Sequence, residues 1–160
     1  VQQGVFALYA QDLFGMSAQT TGWLFAAIGI LIVINQMVLA KRLWLVRFTK
    51  LRLAYLMMVV FAIGMIAQSV PILWVFLISL VLTTIGQGNL RMVFSGLIAN
   101  HNPDKRGEYL GISASVMSLS MVIGPLIATL AYASHPGMPF VIAGIMALVS
   151  YAVMKVFKIA

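Results

Sequence analysis

The sequence predicts an all-α integral membrane bundle, with five full transmembrane helices behind a partial first one. Three observations lead there. Of 160 residues, 62% are hydrophobic and only 8% charged, whereas a soluble domain carries about 25% charged residues. The apolar residues fall in long continuous runs separated by short polar breaks, and the basic residues gather at every second break. A water-soluble globule cannot cover such a surface with polar groups, and the mean hydropathy of +1.06 agrees. Barrel strands facing lipid would alternate over about ten residues, which these runs do not.

The elements follow in order. Val1 to Ala10 is about half a span. It has no basic leader and no small-residue cleavage site, so it reads as the end of a helix whose beginning is missing. The chain is therefore expected to be a fragment of a longer protein. A polar break from Gln11 to Thr21 follows, with Ser17 as the expected N-cap. The first full span runs from Gly22 to Val46 and the second from Leu53 to Val70. Pro71 marks a turn or a first helical turn. The run from Ile72 to Ala99 is long enough to project beyond the hydrocarbon core. Asn100 to Arg106 is a polar loop, Gly107 to Ser134 the next span, His135-Pro136-Gly137 a tight turn, and Pro139 to Phe157 the last span. Short connections make neighbouring helices antiparallel.

Charge sets the orientation. Lys41, Arg42, Arg47, Lys50 and Arg52 surround the connection after the first full span. Lys105 and Arg106 come two helices later, and Lys155 and Lys158 two after that. Arg91 lies on the approach to the Lys105 side. All 10 basic residues thus belong to one side, which the positive-inside rule makes cytoplasmic, with the C-terminus inside. The net charge of +7 therefore points to a lipid bilayer as partner and not to nucleic acid.

Small and polar residues mark the faces expected to meet protein. Gly22, Ala26, Gly29, Val33, Gln36 and Ala40 share one face of the first full span, which predicts close helix contact there. Asn35 points the other way at similar depth, so this helix is expected to be surrounded by protein or by a wet cavity. In the span from Ile72, Thr84, Gly88, Arg91 and Ser95 share a face, with Gln87 on its edge as an i,i+4 neighbour of Arg91. A charge inside a bilayer is costly and marks a functional candidate. Snorkelling to the interface is the competing reading of Arg91. The span from Gly107 has two small faces, one with Gly107, Gly111, Ser115, Ser118, Pro125 and Thr129, the other with Ser113, Ser120, Gly124 and Ala131. Gly124-Pro125 sits mid-span and is expected to bend the helix. The 11 methionines are expected to be filler.

Several chemistries are missing. The chain has no cysteine, and its three acidic residues are Asp12, Asp104 and Glu108, in loops or at helix ends. No carboxylate sits in mid-membrane to carry a proton. His101 and His135 have no ligand cluster around them. There is no nucleophile triad, phosphate loop or potassium-type filter. Neither catalysis nor a cofactor is expected.

The pattern resembles the C-terminal half of a major facilitator superfamily transporter, over nearly the whole chain. The stretch Leu8 to Gly22 is similar to the outer end of helix seven and its loop into helix eight. Gln36 with Leu39-Ala40-Lys41-Arg42-Leu43 resembles the end of helix eight, and Gly86-Gln87-Gly88-Asn89-Leu90-Arg91 the glycine-rich part of helix ten. Arg106-Gly107-Glu108-Tyr109-Leu110-Gly111 followed by Gly124-Pro125-Leu126-Ile127-Ala128 resembles the start of helix eleven and its mid-helix Gly-Pro. The loop at 41–52 departs from the family's signature by lacking an acidic residue, and Ser120, Ala128 and Thr129 replace glycines of the antiporter signature.

The resemblance implies a six-helix bundle, half of a twelve-helix carrier that moves a small-molecule substrate by alternating access. Asn35, Gln36, Gln87, Asn89 and Arg91 are then the candidates nearest the path. Gly124 and Pro125 would shape helix eleven. Lys41, Arg42, Arg47, Arg106 and Gly107 would belong to the cytoplasmic gate as well as to the topology signal. The partner is the missing N-terminal half, which would also hold the carboxylates for a coupling proton. Efflux of drug-like amphipaths through a bacterial inner membrane is the first expectation, and uptake of a metabolite or sugar the second. An anionic substrate would give Arg91 a partner. A non-transporting scaffold or sensor explains the spans and charges but not the motif order, and a membrane enzyme would need catalytic groups outside this chain.

Overall fold

The computed structural model describes residues 2–101 and 105–156. Among them the elements are all helical: α1 Gln2–Phe14, α2 Ala18–Ile34, a π-helical segment Asn35–Trp44, the single turn α3 Leu45–Arg47, α4 Lys50–Gln68, α5 Leu73–His101, α6 Arg106–Ser134 and α7 Met138–Val156. Asn102, Pro103, Asp104, Phe157 and Lys158 lie outside the described residues, as do the side chains of Ala40, Lys41, Asn100 and His101. Five helices are long and apolar enough to cross a membrane, and α1 is a shorter apolar one.

Two stretches differ from expectation. The polar residues Gln11 and Asp12 are not a break but the last turn of α1. The chain leaves that helix at Gly15, whose φ of 59° is open to glycine without strain. Its N–H caps the Gln11 carbonyl at 2.9 Å. Ser17 then caps α2 as expected, accepting from the Thr20 N–H at 3.2 Å. The second difference follows Ile34, where the helix widens from α to π for 10 residues. A π-turn holds more residues than an α-turn. The face drawn through Gly22, Gly29, Gln36 and Ala40 therefore does not continue in one α-helical register.

Helix α4 is the centre of the bundle, packed most extensively on α5 and then on α7. Glycines allow that approach. A Cβ on Gly64 of α4 would lie 2.7 Å from Cγ2 of Thr83, and one on Gly86 of α5 would lie 3.0 Å from Cβ of Phe61. A Cβ on Gly144 of α7 would meet Cγ1 of Ile66 at 2.6 Å. Lipid is as apolar as these side chains, so backbone proximity and packing hold the helices together where water cannot. Inside the contact, the Gln68 amide donates to the Thr83 hydroxyl at 3.1 Å. Towards the same end, Phe6, Tyr9, Phe76 and Phe140 form an aromatic core, with the Tyr9 and Phe140 rings 4.8 Å apart and near perpendicular.

The glycines of the expected α2 face, and those of the Gly107–Gly111 face of α6, are not where these helices meet the bundle, whereas Ser113, Ser120, Gly124 and Ala131 of the second α6 face turn towards α5 and α7. A Cβ on Gly22, Gly29, Gly107 or Gly111 would touch nothing within 4 Å. Small residues permit a close approach, but a neighbour has to be there to make it. Gly124 and Pro125 do not interrupt α6, which continues from Arg106 to Ser134.

The two ends of the bundle are distinct. At one, the Tyr132 hydroxyl of α6 donates to Asp12 of α1, and Gly137 packs on Ser69. At the other, the Tyr55 hydroxyl donates to the Met154 carbonyl at 3.2 Å. Arg47, Lys50, Arg52, Lys105, Arg106 and Lys155 all fall at the Tyr55 end by the order of the helices, as the charge pattern predicts.

Candidate functional site

Helix α5 supplies most of the polar groups because its glycines put it in two roles. Its Gly86 face seals against α4, while Thr84, Gln87, Gly88, Arg91 and Ser95 turn to a cavity of about 550 Å3. Helix α2 and its π-helical extension contribute Ile32 and Gln36, α4 contributes Phe61, and α6 contributes Leu110, Ser113, Ala114 and Met117. The cavity is a half-open groove whose walls mix amides, hydroxyls and one guanidinium with apolar side chains.

Its position along α5 follows from helix geometry. Arg91 lies ~27 Å along the axis from Leu73, and Thr84 ~10 Å back towards Leu73, at 1.5 Å per residue. The polar lining thus starts just short of the middle of the helix and extends towards the basic end. Towards the opposite end, a smaller pocket of about 70 Å3 shares Ile32, Thr84 and Gln87 with the main cavity. Phe6 and Phe25 form its wall with ring centroids 5.0 Å apart. The space therefore narrows from an Arg91 chamber to an aromatic constriction.

The structure separates the five expected path residues into two groups. Gln36, Gln87 and Arg91 line the cavity together. Asn35 and Asn89 are buried behind it, where the Asn89 amide donates to the Asn35 side-chain oxygen at 3.4 Å and to the Ile85 carbonyl at 3.0 Å. Gly88 leaves room for that pair, since a Cβ there would stand 3.2 Å from Nδ2 of Asn35. Gln87 and Asn89 are two residues apart and point to nearly opposite sides of α5, about 200° around the helix, and neighbours such as Asn35 and Gln36 also diverge, so only one member of each amide pair reaches the cavity.

The remaining candidates lie elsewhere. Arg42, Arg47, Arg106 and Gly107 are exposed at the basic end and do not line the cavity, and the side chain of Lys41 lies outside the described residues. Gly124 lines a different, almost wholly apolar groove of about 320 Å3 between α6 and α7. Pro125 has no N–H for the Met121 carbonyl, while its own carbonyl accepts the Thr129 hydroxyl at 2.9 Å. The sequence reading missed Phe61 and Phe94. Phe94 stands one turn from Arg91 on α5 and was open to the same spacing argument. Phe61 comes from another helix and left no local signal.

No metal-binding group of acidic, histidine or cysteine side chains occurs among the described residues. The lining contains no carboxylate. Such a cavity is suited to binding and passage of a small solute, with Arg91 as its one fixed charge.

The model of one protein family matches the chain, that of the Major Facilitator Superfamily, over residues 2–159. No curated protein and no solved structure matches it. The match spans every helix described above, and the polar cavity lies among membrane-crossing helices, so the chain is a multi-pass membrane protein that belongs to the Major Facilitator Superfamily of transporters.

Proposed function

We propose that this bundle is the C-terminal half of a secondary active transporter, and that small amphipathic solutes pass through the cavity lined by Gln36, Gln87 and Arg91 by alternating access. The observation that carries the reading is the cavity itself, a polar chamber with apolar walls that leads to an aromatic constriction. Ligand cavities of roughly 300–1,000 Å3 with a few convergent polar groups suit small molecules. The open faces of α2 and α6 support a second six-helix bundle as partner, since Gly29 and Gly111 offer close approach to nothing within this one. Proton-coupled efflux of drug-like compounds is the leading reading of direction. With no carboxylate in the lining, the coupling group then belongs to the second bundle. Uptake of a charged metabolite is the second reading, and the exposed guanidinium of Arg91 favours it.

The basic end faces the cytoplasm in this reading, which rests on the positive-inside rule. Val46 is 78% exposed at that end, and the chain has no native cysteine. Labelling of Val46→Cys in intact cells by an impermeant thiol reagent would reverse the orientation.

The path is tested by filling it. Ala114 is an exposed lining residue on α6, so Ala114→Trp adds bulk in the cavity without disturbing the α4–α5–α7 contact. In proteoliposomes, flux of fluorescent amphipaths should fall at least about 5-fold, as a steric cost of ~1–3 kcal/mol implies. Flux that is absent from the unaltered protein, or unaffected by the tryptophan, refutes the reading.

A further inference from the structure

We infer that the cavity selects a monoanionic amphipath, an apolar body carrying one carboxylate, and that Arg91 binds its charge. This rests on the proposed path and names the class of solute that uses it. The first ground is an unmatched charge. Arg91 is the one ionised group in the lining. Among the described residues the carboxylates are Asp12, at the far end of α1, and Glu108, in the first turn of α6, and neither lines the cavity.

The second ground is the company that Arg91 keeps. Gln87 stands one helical turn away on the same face, and Gln36 approaches from the π-helical segment, with its Nε2 3.8 Å from where a Cβ on Gly88 would lie. Two side-chain amides supply donors for the oxygens that a guanidinium fork leaves unfilled. Those donors also suit a neutral carbonyl, so the guanidinium is what sets the preference for an anion. Beside the apolar side chains of Phe61, Leu90, Phe94 and Leu110, the exposed guanidinium of Arg91 is free to take the head of an anion whose body lies against them. One guanidinium fork takes one carboxylate as a bidentate pair.

The third ground is the shape of the remaining space. The apolar walls and the Phe6–Phe25 constriction receive a hydrocarbon body of aromatic size, not a second polar head.

The test uses three probes of one shape, namely 1-naphthoate, 1-naphthamide and 1-naphthylmethylammonium. Equilibrium binding of each is measured on the intact chain in nanodiscs near neutral pH. Naphthoate should bind at least about 10-fold tighter than the amide, and the ammonium weakest, as charge-assisted hydrogen bonds of ~1.5–3 kcal/mol imply. Arg91→Gln should reduce the naphthoate-to-amide ratio by about 10-fold or more, and Arg91→Lys should retain part of it. Equal binding of acid and amide, or a ratio indifferent to Arg91→Gln, overturns the inference. If Arg91→Gln does not fold, the wild-type ratio and Arg91→Lys decide alone. Amphipath flux with no preference for the acid sinks the anion selectivity and leaves the transport path standing. Arg91-dependent naphthoate binding without any flux does the reverse.

Discussion

Helices α4 and α6 are both apolar, both long enough to cross a bilayer, and both rich in small residues, yet the structure treats them oppositely. In the most apolar window of α4, 44% of residues are buried, whereas in that of α6 none are. The glycine of α4 meets backbone at contact distance, while Gly107 and Gly111 of α6 face open space. Small-residue spacing therefore records a capacity for close packing, and the partner decides whether it is used within the bundle. α5 and α7 join α4 on the sealed side. α2 joins α6 on the open side, with 11% of its window buried. The polar cavity lies where the two kinds of helix meet, sealed behind by α4 and α5 and bordered by α2 and α6.

Paired substitutions give the largest effect. Gly64→Val drives a branched side chain into Thr83, where even a Cβ would stand 3.1 Å from the backbone nitrogen. We expect a loss of about 3 kcal/mol in bundle stability, at the upper end of overpacking costs. On α2 a Cβ at Gly29 meets no atom within 4 Å, so Gly29→Val should change stability by less than about 0.5 kcal/mol. Unfolding in detergent measures both. If a second bundle covers α2, Gly29→Val should instead impair transport in the assembled carrier. Equal stability losses for the two would erase the distinction between sealed and open helices.

The sequence carried the helices and their sidedness well, because both depend on local costs. A backbone or a charge that lipid cannot solvate must be satisfied within its own segment or placed at an interface. That logic located the spans from Leu73 to Val156 within a few residues, and it put the basic residues at one end. It also singled out Gln36, Gln87 and Arg91, because polar side chains stand out in an apolar run. What it did not reach depends on partners distant in sequence. Gln68 and Thr83 hold α4 to α5 through a bond between two helices, and no spacing within either one announces it. Asn89 looked like a path residue beside Gln87, but its direction around α5 carries it into the contact with Asn35. The π-helical turn after Ile34 had no sequence signature, and it moved the register on which the α2 face was drawn.

The smallest effect concerns how an open helix is held in place. α6 contributes Ala128 as its buried residue and touches α1, α5 and α7, so its outer end depends on few contacts. One of them is the hydrogen bond from the Tyr132 hydroxyl to the Asp12 carboxylate, at 2.5 Å. Asp12 is exposed, so water competes for it and the bond contributes little to folding. Tyr132→Phe keeps the ring and removes the donor, and it should cost less than about 1 kcal/mol in stability. Its larger consequence is positional. Leu13 and Leu130 are exposed near this contact, on α1 and α6, and can carry spin labels without disturbing the core. The distance distribution between them should broaden in Tyr132→Phe. Asp12→Asn retains an acceptor oxygen and should broaden it less. An unchanged distribution in Tyr132→Phe would mean that the packing of α6 on α1, α5 and α7 sets its position without this hydrogen bond, and that the exposed helix is as firmly placed as the buried one.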